Sequence, residues 1–320
     1  MSLFRKVTVL TFLFSVVLFA MPRTTNASDF FHHPMRGDPS EFWRYQFVLD
    51  NGTEAYLTFS LLQVPTMGDK AAVELSFRNF KGKNVQVGRQ FERKDWKEIQ
   101  QPLMVKLRSD YRMEGMPGPG HRAYFATTKN EGFFLDLTFD SALPSAYEPP
   151  SEGSPFHLAI HIPRGSVRGR IAVGKDTIAV KGKAVLMHTW HNKKVTTFAK
   201  KTISLFAPGE GGFTGAFAIG SDGKIHGFGL QIKGLESQLV QLSSFNQNGK
   251  VITLNWLDTQ QSSLTIDLSK AQQKYSTLAT IDSWMEKQAA KMAMGGERIL
   301  LRGTTQTNLG PQKWVGAGFP

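Results

Sequence analysis

Phe133-Phe-Leu-Asp-Leu-Thr-Phe139 decides the fold class. Phe133, Leu135, Leu137 and Phe139 fall on one side of an extended chain, with Asp136 and Thr138 on the other. Successive side chains of a strand point to opposite faces, so this period of two marks a strand with one buried face. Ala72-Val-Glu-Leu-Ser-Phe-Arg78, Phe156-His-Leu-Ala-Ile-His-Ile162 and Val251-Ile-Thr-Leu-Asn-Trp-Leu257 alternate in the same way. Their β-branched and aromatic residues suit a pleated, half-buried surface. Asp50-Asn51-Gly52, between Trp43–Leu49 and Glu54–Val64, predicts a hairpin with a primed turn, whose centre requires positive φ. Ser221-Asp222-Gly223 and Asn246-Gln247-Asn248-Gly249 punctuate the second half similarly. Roughly fifteen strands at short spacing predict an all-β chain of antiparallel sandwiches or barrels.

Helix is scarce. Gln272 to Met294 is the best candidate, rich in helix formers from Trp284 onward and closed by Gly295-Gly296, although Tyr275–Ile281 alternates like a strand. Met113 to Gly120 is expected to be irregular, because its prolines and glycines interrupt a ladder. Leu143 to Pro155 reads as a long proline-rich loop, either a surface connection or the cap of a binding mouth.

Residues 1–27 read as an export signal: Arg5 and Lys6 precede the apolar run Val7–Ala20, and Thr25-Asn26-Ala27 offers a small residue for cleavage. That run falls short of the roughly 20 residues that span a bilayer. With no cysteine in the chain, neither a disulfide framework nor a cysteine-linked lipid anchor is available. The mature chain is therefore expected in the periplasm or outside the cell, with two domains, 28–195 and 196–320. The formal charge of +12 favours anionic partners through long-range attraction. Its lysines and arginines are scattered and carry no recognition motif, which argues against nucleic acid. A solvated surface, or peripheral contact with anionic lipid or envelope polymer, is the expectation.

The chemically committed stretch is Lys181-Gly-Lys-Ala-Val-Leu-Met-His-Thr-Trp-His-Asn192. Alternation puts His188 and Trp190 on one face and Met187, Thr189 and His191 on the other. A shared inward face suits either a ligand pocket or a packing pair at the junction of two domains. No metal centre is expected. His188 and His191 stand three apart on a strand, His32-His33 lies near the mature N-terminus, and His157 and His161 are about 13 Å apart at the usual rise. Nor is any cofactor implied: Pro208-Gly-Glu-Gly-Gly-Phe213 lacks the Lys-Ser/Thr and helix of a phosphate loop.

Glu41-x-Trp43-x-Tyr45 with the following Asn51-Gly52 turn, Leu135–Phe139 with Pro144, Gly165-Ser-Val-Arg-Gly169-x-Ile171, and Val180-Lys-Gly182 leading to Met187-His188-x-Trp190 together resemble the AttH and carotenoid 1,2-hydratase (hydroxyneurosporene synthase) superfamily. The resemblance runs from about Glu41 to the C-terminus and implies two consecutive lipocalin-like antiparallel β-barrels with little helix. It implies either hydration or isomerisation of an isoprenoid-like double bond, or the binding of apolar molecules without catalysis. His188 and Trp190 are then the candidate catalytic residues, and Trp190, His188, Trp43 and Tyr45 the candidate ligand contacts. One departure matters. Relatives commonly carry an acid immediately before the histidine, where this chain has Met187.

Adding water to an unactivated double bond needs a proton donor beside an apolar site and stabilisation of a tertiary cation. A buried carboxylic acid can supply the first, and an indole face the second. Trp190 fits the second role, whereas the thioether of Met187 has no proton to give. Sequence alone therefore favours an exported binder of an apolar or amphipathic, lipid- or isoprenoid-like molecule, with the hydratase and an envelope interaction module as alternatives. Eleven methionines and 24 phenylalanines supply apolar lining and core.

Overall fold

The computed structural model describes residues 40–64, 68–99, 103–116, 120–128, 132–147, 154–193, 195–207, 212–257, 263–276, 299–307 and 310–318, together with Trp284, Lys287, Gln288 and Lys291. The expected export signal and His32-His33 lie outside these residues.

The architecture is all-β, two consecutive lipocalin-like barrels with little helix. The first consists of β1 (Ser40–Leu49), β2 (Glu54–Val64), β3 (Gly68–Phe80), β4 (Lys83–Glu92), β5 (Trp96–Ile99), β6 (Met104–Leu107), β7 (Tyr111–Gly115), β8 (Gly120–Thr127), β9 (Phe133–Ser141), β10 (Ala146–Tyr147), β11 (Phe156–Val173) and β12 (Asp176–His191). Their order is β4-β3-β2-β1-β12-β11-β9-β8-β7-β6-β5, with β10 on β11. Its two ends, β4 and β5, are joined by the single 3-10 turn Arg93–Asp95, so the sheet curls nearly shut.

After the helical turn α1 (Val195–Phe198) come β13 (Lys201–Phe206), β14 (Phe213–Ile219), β15 (Ile225–Lys233), β16 (Glu236–Val240), β17 (Leu242–Asn248), β18 (Val251–Trp256), β19 (Ser263–Asp267), β20 (Gln273–Ser276), β21 (Ile299–Thr307) and β22 (Gly310–Gly318). They form a seven-stranded sheet, β16-β15-β14-β13-β22-β21-β20, and a three-stranded sheet, β17-β18-β19.

Three apolar cores follow from the alternation. Trp43, Tyr45, Phe47, Phe77, Phe125 and Phe139 fill the first barrel. Phe213, Phe217, Leu254 and Trp256 fill the second. Between them, the outer faces of β11 and β12 place Leu158, Ile160, Val185 and Met187 against Phe206, Ala216, Phe228 and Leu230. Gly182 lies on β12 opposite Leu49, where an added Cβ would collide with the Val48 carbonyl oxygen. The glycine lets β1 and β12 close on each other below the site.

Several local expectations need correction. The Asp50-Asn51-Gly52 hairpin forms, but Gly52 alone has positive φ, at 81°. Gly52 N–H donates to the Leu49 carbonyl and Leu49 N–H to the Thr53 carbonyl, so this is a type I turn with a glycine bulge, not a primed turn. Met113-Glu114-Gly115 belongs to β7 and pairs with β8, because the ladder continues until the first proline. Of the candidate helix, Gln273–Ser276 is instead strand β20, paired with β21. Trp284, Lys287, Gln288 and Lys291 are helical, and the remainder lies outside the described residues. Ala146-Tyr147 of the proline-rich loop bridges to β11.

Candidate functional site

The site grows out of the pairing of β1 with β12. The register sets Trp43 opposite His188 and Glu41 opposite Trp190. Glu41, Trp43 and Tyr45 stand two apart on β1 and share its inward face, as His188 and Trp190 do on β12. Cross-strand and diagonal neighbours on one face lie close enough for long side chains to touch. Glu41 accordingly reaches His188 on the diagonal: His188 Nε2 and Glu41 Oε1 are 2.7 Å apart. The histidine is fully buried and the Glu41 side chain nearly so. That separation is a short hydrogen bond between the imidazole and the carboxyl group.

Two indoles and a second imidazole surround the pair. Trp43 stacks on His188 at 4.7 Å between ring centroids, with 15° between planes. Trp190 lies against the same imidazole at 4.9 Å, and its indole stacks on His157 at 5.3 Å. His188 Nδ1 is 3.3 Å from His161 Nε2. His161 continues the inward alternation of His157 and Ala159, which stand opposite Trp190 and His188. The register with β12 slips between Ile160 and Ile162. The slip leaves Ile162 on the inward side as well, in the core of the first barrel.

Deeper in the barrel, Tyr45 packs on Phe139 at 4.7 Å, and its hydroxyl lies 3.4 Å from Nδ1 of His121 on β8. Burial, with a smaller contribution from the charge of Glu114, pushes the Tyr45 phenol above its ordinary range, so it keeps its proton. Burial pushes His121 down to about 3 and keeps it neutral. His157 is lowered chiefly by burial and also by nearby His226, against a raising bond to the Ser154 backbone. Among the described residues, no group of three His, Cys, Asp or Glu side chains is placed to hold a metal ion.

The four residues proposed from sequence are therefore neighbours. Trp43 is stacked on His188, Trp190 lies tilted against it, and Tyr45 sits one pair further in. His188 and Trp190 face the interior of the first barrel, however, and are not a junction pair. Met187 occupies the junction, in the core between the barrels. A residue next to His188 on β12 faces away from it, and the carboxyl group that meets His188 is that of Glu41 on β1. Glu41 was legible as the one acid on an inward face otherwise aromatic. The approach of His161 to His188 and of His121 to Tyr45 depends on contacts between separate strands.

The sequence matches no family model and no curated protein. Solved structures share the fold. A putative AttH from Nitrosomonas europaea matches with a TM-score of 0.62 at 13% identity, over 91% of this chain and 95% of that one. CghA in complex with Sch210972 matches with a TM-score of 0.56 at 8% identity, over 88% of each chain. Kievitone hydratase from Nectria haematococca matches with a TM-score of 0.53 at 10% identity, over 93% of this chain and 97% of that one. The fold implied by the sequence motifs is thus the fold observed.

Proposed function

We propose that the chain is a hydratase, or an isomerase working by the same protonation, that acts on an isoprenoid-like carbon–carbon double bond in the first barrel. The observation that carries this reading is the buried Glu41–His188 hydrogen bond, with Trp43 stacked on the imidazole and Trp190 tilted against it. It gives the histidine-tryptophan pair the acid that Met187 lacks, and the hydratase among the structural relatives points the same way. A pure binding role is disfavoured by the cost of burying a carboxyl group and two further imidazoles inside an apolar barrel.

In the proposed reaction the proton shared by Glu41 and His188 moves to the less substituted carbon of the double bond. The π electrons form the new C–H bond and leave a tertiary cation. An indole face stabilises that cation through its quadrupole. Water adds its oxygen lone pair to the cation, and the proton it loses returns to the Glu41 carboxylate. Loss of a neighbouring proton instead of water addition gives the isomer. His161, bonded to the other nitrogen of His188, fixes the orientation of that ring. The little exposure left in the cluster is on His157 at 9%, Trp190 at 6% and Glu41 at 3%, where β1 and β11 begin and β12 ends. Substrate therefore enters from that rim.

The test is incubation of purified protein with an acyclic isoprenoid alkene in detergent, followed by chromatography for a tertiary alcohol. Product should form with the wild type and vanish in Glu41→Gln and His188→Ala. Substrate retained without product would return the chain to the class of apolar-ligand binders. The basic, apolar and small-residue succession at the N-terminus supports export to the periplasm or the medium. Intact-mass measurement of the exported chain should find it starting near Ser28.

A further inference from the structure

His121 is a buried imidazole that the proposed reaction leaves unused. It lies on β8 opposite Phe139 and is fully enclosed. Its Nδ1 is engaged by the Tyr45 hydroxyl. Its Nε2 is buried with no hydrogen-bond partner. A neutral imidazole has one N–H and one lone pair, so either tautomer leaves Nε2 with an unmet donor or acceptor. Buried polar atoms without partners are rare, and they mark places where water or a ligand belongs. With Nδ1 turned to Tyr45, Nε2 points to the other side of the ring. That ring stands 5.4 Å from the ring of His161, which in turn bonds His188. His161 thus links the ring of His121 to His188 of the acid pair.

We propose that His121 Nε2 holds an oxygen able both to donate and to accept a hydrogen bond, either a water molecule or a hydroxyl group of the substrate. Such an oxygen satisfies Nε2 in whichever tautomer Tyr45 selects, and a bare hydrocarbon satisfies it in neither. Tyr45 is the positioning residue, since its hydroxyl fixes which way the imidazole faces. The inference builds on the hydratase reading in one respect: a water held here is the nucleophile for the cation formed beside His188. A substrate hydroxyl held here would instead place a hydroxylated isoprenoid in the barrel.

The experiment uses farnesol and farnesene, alike in length and differing in the hydroxyl, with the wild-type protein and His121→Phe, which keeps a ring and removes both nitrogens. If the oxygen belongs to the substrate, the wild type binds farnesol about tenfold tighter than farnesene, and His121→Phe brings the two to near equality. If it is water, the wild type binds both alike. A high-resolution crystal structure then shows an ordered oxygen within hydrogen-bond distance of His121 Nε2, and His121→Phe lacks it. No preference together with no ordered oxygen overturns the proposal, and so does a farnesol preference that survives His121→Phe. Should His121→Phe fail to fold, wild-type crystals with and without farnesol decide alone: an oxygen on Nε2 in either supports the site, and none in both overturns it. Neither readout measures turnover. Absence of any tertiary alcohol alongside these results would sink the hydratase reading and leave the oxygen site standing.

Discussion

The two barrels bury different things. The first encloses Glu41, His121, His161 and His188 among its aromatic residues. Among the described residues of the second barrel's strands, the buried polar side chains are Thr214 and Arg302, and both turn toward the first barrel. Thr214 donates to the Pro163 carbonyl at 3.2 Å, and Arg302 lies over the Tyr56 ring. A polar group costs free energy to bury unless it is bonded, so a barrel meant only to be stable fills itself with apolar side chains. The second barrel does so with Phe213, Phe217 and Trp256. Under the proposed function, the chemistry falls to the first barrel and support to the second.

Removing the acid should have the largest effect. Glu41→Gln keeps shape and a hydrogen bond to His188 but cannot give up a proton, so product formation should fall by roughly 10²–10⁴-fold, the usual weight of a general acid. Its melting temperature should change little. Trp256→Ala in the second barrel should do the reverse. It should cost about 3–5 kcal/mol of stability, as deletion of a buried aromatic does, with turnover per folded molecule unchanged. Urea unfolding and product assays on the same preparations separate the two. A large loss of turnover in Trp256→Ala would end the division of labour.

Met187 and Trp190 repeat this comparison within one strand. Met187→Ala opens a cavity between the barrels and should cost about 2–5 kcal/mol, leaving activity of the folded fraction intact. Trp190→Ala acts on the rim of the site. Its stability cost should not exceed that of Trp256→Ala, and substrate retention should drop, as mass analysis of bound ligand would report. Equal ligand content in the two variants would place the binding face elsewhere.

How much of this was legible depended on how far apart the interacting residues lie in the chain. The strands were, because alternation is local: Phe133–Phe139 declares its buried face without reference to anything else. His188 and Trp190 could be placed on one face for the same reason. The partner strand could not be read. Glu41 and His188 are 147 positions apart, and only the pairing of β1 with β12 brings them together. The expectation of an acid beside the histidine in sequence came from the resemblance to relatives that carry one there. His161 shares the strand face of His157, as alternation gives. The residue that alternation misplaces is Ile162, which the slip after Ile160 leaves on the inward side with His161.

Burial of His121 makes acid stability a further probe of the first barrel. Its ordinary value of 6.5 is lowered to about 3 in the folded chain. As pH falls below 6.5 the unfolded chain takes up a proton that the folded chain refuses. This contribution is thus fully present above pH 6.5 and is lost progressively toward pH 3. Each unit costs about 1.4 kcal/mol. His121→Phe abolishes that slope. Relative to the wild type, it should gain about 3 kcal/mol between pH 7 and pH 4, read from urea midpoints at the two values. Parallel pH dependence in the two proteins would mean that His121 is hydrated and exchangeable, and not sealed in the interior.

The smallest expected effect lies where the barrels meet through polar groups. Arg302 reaches from β21 to the outer face of the first barrel, where its guanidinium stands 3.8 Å from the Tyr56 ring centroid and donates to Ser76 Oγ. Glu74 is 4.0 Å away and one-quarter exposed. Arg302→Met keeps an unbranched stem against Tyr56 and loses the cation–π contact and the bond to Ser76. Glu74 can return to water, and replacing a buried charge by an apolar group of similar size is often close to neutral. The net cost should be about 1 kcal/mol. A second readout is specific to this contact. The Tyr56 phenol is raised to about 12 by burial, with Arg302 pulling it down, so the substitution should move it further up. Turnover should not change, because the outer face of β2 and β3 does not touch the Glu41–His188 pair. A fall in turnover without a matching loss of stability would show that the second barrel holds the site in register, and support would no longer be its only role.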